Sequence, residues 1–251
     1  MNKAVSIIIV TYNNTQTIEQ CLRSIKNQKK VPFQLIVVDN ASSDDTVSKI
    51  KRFNPDYLLE RKTNSGFSTA ANEGAKLAVS SIILFLNPDA ELKENAVVEL
   101  IKAIERDSQT AMAGGKFVSK DNKVMVSFGN FPSFKTEIIQ KLKLHKALPW
   151  GRYVIPSFLS KHLFQKTRQV DWVSGGFCLV RKTIFQEVNG FDENYFLYLE
   201  DIDLAKRITD QGYKIIFAPL AQAIHHQYRS ASETARKYEK DSLDYYRKKF
   251  K

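Results

Sequence analysis

Three unbroken apolar runs, each stopping abruptly at a polar loop, constrain this chain more than any other feature. Val5–Val10, Gln34–Val38 and Ile82–Phe85 lack the in-out alternation of a half-solvated strand. They read as strands covered on both faces, as in a parallel sheet packed between helices. They end in Thr11-Tyr12-Asn13-Asn14, in Asp39-Asn40-Ala41-Ser42-Ser43-Asp44-Asp45 and in Asn87-Pro88-Asp89. Proline cannot donate to a sheet ladder, so Pro88 closes the third run and leaves Asp89 and Glu91 just past a strand's carboxyl end. In open α/β sheets ligands bind at that edge, and a hard carboxylate there suits a divalent metal bridging phosphate oxygens. Taken alone, Leu84–Leu92 reads as a strand followed by an ordinary polar turn; its weight comes from what accompanies it.

Between the runs lie helix signals. Ile18, Cys21, Leu22 and Ile25 recur at i, i+3, i+4 and i+7, with Asn14 or Thr15 available as N-cap. Asn64-Ser65-Gly66-Phe67 opens another helix whose inner face carries the small residues Ala70, Ala71, Gly74 and Ala78. This βαβα order predicts a parallel sheet with right-handed crossovers and brings Thr11, Asp39, Asn64 and Asp89 to one edge. The chain has neither G-x-G-x-x-G after its first strand nor G-x-x-x-x-G-K-[ST]. Any nucleotide would therefore be held by side chains and loop amides.

Past the helix of Val97, Leu100, Ile101 and Ile104, residues 111–118 and 123–128 read as a hairpin turning at Asp121-Asn122. Residues 129–169 are irregular and include a basic amphipathic stretch, Phe134–Leu148, and a break at Pro149-Trp150-Gly151. That stretch would lie on a membrane surface, wall an acceptor site, or simply be a solvated helix with lysine stems. Order returns at Val170–Arg181, where Gly175-Gly176 either admits another group close to the backbone or makes a tight bend. In Phe196–Leu204, the carboxylates Glu200, Asp201 and Asp203 fall at the start of a helix that ends at Gly212. Capping and solvation account for some of them. A carboxylate so placed can also take a proton from an attacking hydroxyl. The strand Tyr213–Phe217 follows, and Ala223-Ile224-His225-His226 places imidazole near another loop edge.

At 251 residues and 43% hydrophobic content the chain can bury one sizeable core, hence a single α/β domain is expected. Its two cysteines, Cys21 and Cys178, sit in apolar contexts and read as buried thiols. No apolar run approaches the ~18 residues of a membrane span, and Met1-Asn2-Lys3-Ala4 leads straight into a strand, so a soluble, cytoplasmic protein is expected. The net charge of +11 points to an anionic partner: nucleic acid, a phosphorylated substrate or an acidic membrane surface. Against nucleic acid, there is no recognition motif or glycine-arginine tract, and the basic residues are dispersed. Against a nucleotidyltransferase, a glycine-rich, lysine-bearing amino-terminal loop is missing.

Seven segments, in order, carry a resemblance: SIIIVTYNN, VVDNASSDDT, NSGF with Asn72-Glu73-Gly74, LFLNPDAEL, WVSGGFCLVRK, GFDENYFLYLEDIDL and IHHQYRS. Together the chain resembles the family 2 glycosyltransferases of bacterial polysaccharide synthesis, in particular the rhamnosyltransferase-like members. The resemblance runs from about Val5 to Ser230. It implies a GT-A (Rossmann-like) fold of the α/β class, a mostly parallel central sheet flanked by helices. Residues 1–117 would form the nucleotide-sugar half, 118–230 the acceptor half, and 231–251 a C-terminal helical tail.

The resemblance further implies inverting transfer of a sugar from a nucleotide diphosphate donor to a hydroxyl, with Mg2+ or Mn2+. Rhamnose from dTDP-rhamnose is the expected donor; a UDP-sugar carrying galactofuranose, glucose, galactose or an N-acetylhexosamine is the alternative. Thr11, Tyr12, Asn13 and Asp39 would hold the nucleoside, with Asp39 accepting from the imide N–H of the base. Asn64 and Gly66 would lie near the ribose and diphosphate, with Asn87 also on the donor side. Asp89 would be the metal acid, joined by His225. Asp201 would be the general base, with Glu200 beside it and Asp203 as the alternative base, while Trp172, Gly175 and Gly176 line the sugar site. Where many members carry two or three acids in the metal motif, this chain has Asn87-Pro88-Asp89. The acceptor implied is a saccharide, free or carried on a polyprenyl diphosphate at the inner face of the cell membrane. The tail, residues 232–251, is expected to pack on the domain; with the basic stretch it is the alternative contact for anionic lipid.

Overall fold

A computed structural model describes residues 4–132, 164–226 and 233–251. In it the apolar runs become the inner strands of one mixed sheet. In chain order these are β1 (Val5–Thr11), β2 (Phe33–Asp39), β3 (Tyr57–Glu60), β4 (Ile82–Leu86), β5 (Ala90–Leu92) and β6 (Thr110–Val118). After a two-residue strand β7 (Phe128–Gly129) come β8 (Arg168–Gln169), β9 (Trp172–Val173), β10 (Phe177–Arg181) and β11 (Lys214–His225). The spatial order is β3-β2-β1-β4-β10-β6-β11-β5, with β8 on β11 and a separate β7–β9 pair.

The first four strands are parallel, as their apolar runs predict. Strand β10 then enters antiparallel between β4 and β6, so β6 and its parallel neighbour β11 run in the same sense as β4. This polarity gathers the functional loops. The carboxyl ends of β1, β2, β4, β6 and β11 and the amino end of β10 all meet one edge, where β5 joins in register Ala90↔His225.

Both faces of the sheet are covered, which is why the runs do not alternate in polarity. Ile8, Val10, Ile36, Val38 and Phe85 point into one core; Ile7, Ile9, Leu35, Val37 and Leu84 point into the other. On the second face lie α1 (Ile18–Lys26), α2 (Thr46–Lys51) and α4 (Ala96–Glu105). On the first lie α3 (Phe67–Lys76), α5 (Lys182–Glu187), α6 (Glu200–Asp210) and, through Tyr246, α7 (Glu233–Lys249). The small face of α3 serves the purpose its sequence suggests, since a Cβ at Gly74 would come within 2.8 Å of Ile8 Cγ2. Ala78 is buried just past the end of that helix.

Two local expectations are corrected, and one strand is added. α1 is capped at Thr17 with no side-chain cap bond; the carbonyl of Asn14 accepts from Thr17 and Ile18, and its side chain accepts from the Tyr12 amide. Asn14 is thus spent on the loop that shapes the site. Residues 119–123 do turn back, with Asn122 left-handed, but only a single Val118↔Val124 bridge forms, and Phe128 pairs with β9 instead. The edge strand β3 carries no clear sequence signal because its pattern is mostly exposed. The tail packs as α7, as expected; the basic stretch Phe134–Leu148 lies outside the described residues. Both cysteines are buried and free, and among the described residues no helix is long and apolar enough to cross a membrane.

Candidate active site

At the end of β2, Asp39 is almost fully enclosed. Thr11 Oγ donates to its Oδ1 at 2.8 Å, and Ser42 adds its amide and hydroxyl. Thr11, also buried, commits its hydroxyl proton to this carboxylate and so orients it. Asn13, left-handed at φ 53°, ties the first two loops together: its amide donates to Ser42 Oγ, and its side-chain oxygen accepts from the Ser43 amide, both at 2.8 Å. Tyr12, half exposed at 50%, presents a ring at this edge.

The third loop is locked onto the second. Asn40 Nδ2 donates to the Gly66 carbonyl at 2.9 Å, and the Gly66 amide donates back to Asn64 Oδ1 at 3.0 Å. Gly66 has φ +87°, and a Cβ there would collide with the carbonyl of Phe196, which also accepts from the Phe67 amide. Two independent penalties therefore meet at one residue. Gly66→Ala is expected to lose about 1–3 kcal/mol of stability, read in a thermal melt, and to loosen nucleotide binding with it. A variant as stable as the parent would contradict the close approach.

The metal pair predicted from separate motifs is brought together by the β5–β11 ladder. Asp89 Oδ1 lies 3.2 Å from His225 Nε2, and both side chains are largely buried, at 17% and 16% exposure. Asn87 Nδ2 approaches the same Nε2 at 3.4 Å. Alongside, His226 Nε2 meets Glu91 Oε2 at 3.0 Å, and the His226 amide donates to the Asp89 carbonyl. This second pair fastens the end of β11 to β5. Among the described residues no group of three or more His, Cys, Asp or Glu converges. One carboxylate and one imidazole suit a divalent cation whose other ligands come from diphosphate oxygens and water. Behind them, the Cys21 thiol is pushed far up by burial and then by Asp89 and Glu91, which leaves it without nucleophilic character.

The double glycine joins this pair to the acidic helix. The Gly175 amide donates to Asp201 Oδ2 at 2.9 Å, while Asp201 Oδ1 accepts from the Ile202 amide at 2.8 Å. A Cβ at Gly176 would overlap the Asn87 amide group, and the Asn87 N–H donates to the Gly176 carbonyl at 2.8 Å. The contacts thus run without a break from Asp201 through Gly175, Gly176, Asn87 and His225 to Asp89. Trp172, expected to line the sugar site, is buried with its indole N–H donated to the Asn130 carbonyl at 3.0 Å.

The three helix-start carboxylates part company by environment. Asp203 is wholly enclosed and taken up by Arg207, Lys249 and Tyr195, so it has no route to an acceptor. Asp201 keeps part of its surface open, and burial raises its carboxyl above the ordinary aspartate range. Glu200 is buried with one oxygen unpartnered; burial first and the Asp201 charge second push it up to about 8. The two carboxylates oppose each other's ionisation, and Glu200 is the one held well above its ordinary range. The folded state keeps a proton on Glu200 that the unfolded chain releases, so this group lowers stability as pH rises from its ordinary value of 4.5 toward 8. Glu200→Gln should gain melting temperature relative to the parent on going from pH 5 to pH 8; a pH-independent difference would contradict the assignment.

The sequence profile of Glycosyl transferase family 2 matches residues 6–188, which carry the ends of β1, β2 and β4 and the double glycine. The chain belongs to that family. A second profile, described as the N-terminal domain of galactosyltransferase, matches residues 160–230. Among curated family relatives, the N-acetylglucosaminyl-diphospho-decaprenol L-rhamnosyltransferase of Mycobacterium tuberculosis is 27% identical over 249 residues, covering 92% of this chain and 78% of its own. Rhamnosyltransferase WbbL of Escherichia coli is 29% identical over 229 residues, covering 88% and 83%. Among solved structures, the mannosyltransferase PcManGT of Pyrobaculum calidifontis, in complex with GDP-Man and Mn2+, superposes with TM-score 0.66 at 19% identity over 97% of this chain. S. aureus TarS 1-349 superposes with TM-score 0.62 at 16% identity over 90%. The chain spans 62% and 60% of those two structures, which establish the GT-A fold.

Sequence reasoning missed Asn40, Ser42, Asn72 and Phe196. Asn72 is the clearest case: its amide exchanges hydrogen bonds with both N and O of Phe191 at 2.9 and 2.8 Å, pinning the Gly190–Asp192 turn to α3. The motif Asn72-Glu73-Gly74 was visible, but nothing local to it names a partner so distant in the chain.

Proposed function

We propose that this family 2 glycosyltransferase moves rhamnose from dTDP-rhamnose to a hydroxyl of a saccharide carried on a polyprenyl diphosphate, with inversion at the anomeric carbon, in cell-surface polysaccharide synthesis. The unbroken contact path from Asp201 to Asp89 supports the transfer, because it sets a base and a candidate cation site at opposite ends of one double-glycine floor. The two rhamnosyltransferase relatives support the sugar, and the name of the mycobacterial one supports the carrier.

In this reading residues 1–117 form the donor half and 118–230 the acceptor half. Asp39, oriented by Thr11 and Ser42, accepts from the imide N–H of thymine, and Tyr12 lies against the nucleoside. Asn13 and Asn64 keep the loops in place, and the Gly66 loop lies near the ribose and diphosphate. Asp201 takes the proton of the acceptor hydroxyl, whose oxygen attacks C1 of the sugar as the C1–O bond to the diphosphate breaks on the opposite face. The electron pair leaves with dTDP, the proton stays on Asp201, and no covalent enzyme intermediate forms. Asp89 and His225 hold a divalent cation, Mg2+ or Mn2+, which when bound neutralises charge on the departing diphosphate.

A thermal-shift series with dTDP, UDP and GDP, each with and without Mn2+, tests the donor. A ligand at a hundred times its dissociation constant adds about 2.7 kcal/mol of stability. The expected result is a larger shift for dTDP with Mn2+ than for UDP or GDP. A UDP preference would keep the transferase and discard rhamnose, and no shift with any nucleotide would contradict the reading.

A further inference from the structure

The base helix α6 begins on a strained turn. Tyr198 and Leu199, neither of them glycine, are successive left-handed residues at φ 71° and 63°, immediately before Glu200 and Asp201. Such a conformation persists only where its surroundings over-determine it. On one side the hold comes from the donor helix, since the Phe196 carbonyl accepts from Phe67 and packs on Gly66.

On the other side it comes from α7, which lies beyond both matched profiles. The buried Ser242 donates its hydroxyl to the Leu197 carbonyl at 2.9 Å. The Tyr238 ring stacks on Phe196 with centroids 4.5 Å apart. Lys249 Nζ bridges Asp192 and the buried Asp203 at 2.6 Å each, closing one pair within the first turn of α6 and the other in the turn that Asn72 pins to α3. Tyr245 adds a hydrogen bond to Asp192 at 3.0 Å and an edge contact with Tyr195. Burial alone would raise Asp192, yet the hydrogen bonds from Lys249, Asn194 and Tyr245 hold it down to about 2.

We propose that α7 is a positioning element for sugar transfer: Ser242, Tyr238 and Lys249 hold the 196–199 turn in its left-handed form and so fix where the Asp201 carboxylate meets the Gly175 amide. The proposal rests on the reading of Asp201 as the base. None of the three residues belongs to the donor or cation site; each acts through the turn. Without them the turn relaxes to ordinary backbone angles, the first turn of α6 rotates, and the Asp201–Gly175 hydrogen bond opens.

The test is made in the full chain with the double variant Ser242→Ala/Tyr238→Ala, with Lys249→Met, and with Lys249→Arg as the conservative control. Amide hydrogen exchange is followed by NMR at Gly175 and Ile202, the two donors to Asp201, and in β1 and β2 as a reference. The expected result is exchange at Gly175 and Ile202 at least tenfold faster in the double variant and in Lys249→Met, with β1 and β2 unchanged and Lys249→Arg restored toward the parent. In transfer assays kcat should fall at least tenfold while donor affinity stays within about twofold. Unchanged protection at Gly175, or exchange rising equally in β1 and β2, would overturn the proposal, the latter by showing a merely global loss of stability. The exchange readout needs no substrate, so it stands apart from the assignment of the base, which fails separately if Asp201→Asn retains transfer.

Discussion

Asp201→Asn should lower kcat by about a thousandfold, within the range a positioned general base contributes, while dTDP affinity stays within about twofold. Asparagine keeps the shape and one acceptor, so only one of the Gly175 and Ile202 amides retains its bond. The other faces an NH2 group, at a cost of about 1–3 kcal/mol in stability. That cost is partly offset because the Asp201 charge no longer opposes ionisation of Glu200. The fold and the nucleoside end are untouched, since Asp39 and its partners lie on other loops. Steady-state rates alongside calorimetric dTDP binding separate the outcomes. A matched loss of rate and binding would make Asp201 a structural residue.

The second large effect is expected at Asp89. Asp89→Ala removes the one carboxylate at His225 Nε2, leaving imidazole alone to hold a cation, and should weaken Mn2+-supported dTDP binding by at least about tenfold, or ~1.4 kcal/mol. Binding without Mn2+ should be nearly unchanged, because the nucleoside contacts are elsewhere. The backbone of this segment is secured independently, by the Asp89 carbonyl accepting from His226 and by the Glu91–His226 pair. A titration of dTDP with and without Mn2+ checks this, and an affinity insensitive to both cation and mutation would remove Asp89 and His225 from the cation site.

How far each feature could be read in the chain depends on how local its cause is. The parallel half was legible because doubly buried strands must be apolar without alternation, and because polar loops must follow them at one edge. Asp39 and Asp89 came with those strand ends. The antiparallel insertion of β10 was not legible, since a five-residue apolar strand carries the same pattern in either direction. The meeting of Asp89 with His225 was expected only from resemblance; physically it depends on the three-residue strand β5, too short to show a period. The double glycine left a close approach and a tight bend equally open, and side chains from two distant segments, Asn87 and Asp201, decided for the approach. Among the three clustered acids, the fully enclosed one, Asp203, is distinguished by Lys249 on a helix near the end of the chain. Such a partner has no signature at the acid itself.

The most direct measurement is transfer itself. The protein is incubated with dTDP-rhamnose, Mn2+ and a panel of short polyprenyl diphosphates bearing different saccharides, and the products are resolved by mass spectrometry and NMR. One rhamnosyl residue is expected per dTDP released, with anomeric configuration opposite to that of the donor, and about a thousandfold slower product formation from Asp201→Asn. Retention of configuration, or no transfer from dTDP-, UDP- or GDP-sugars to any lipid-linked saccharide, would contradict it.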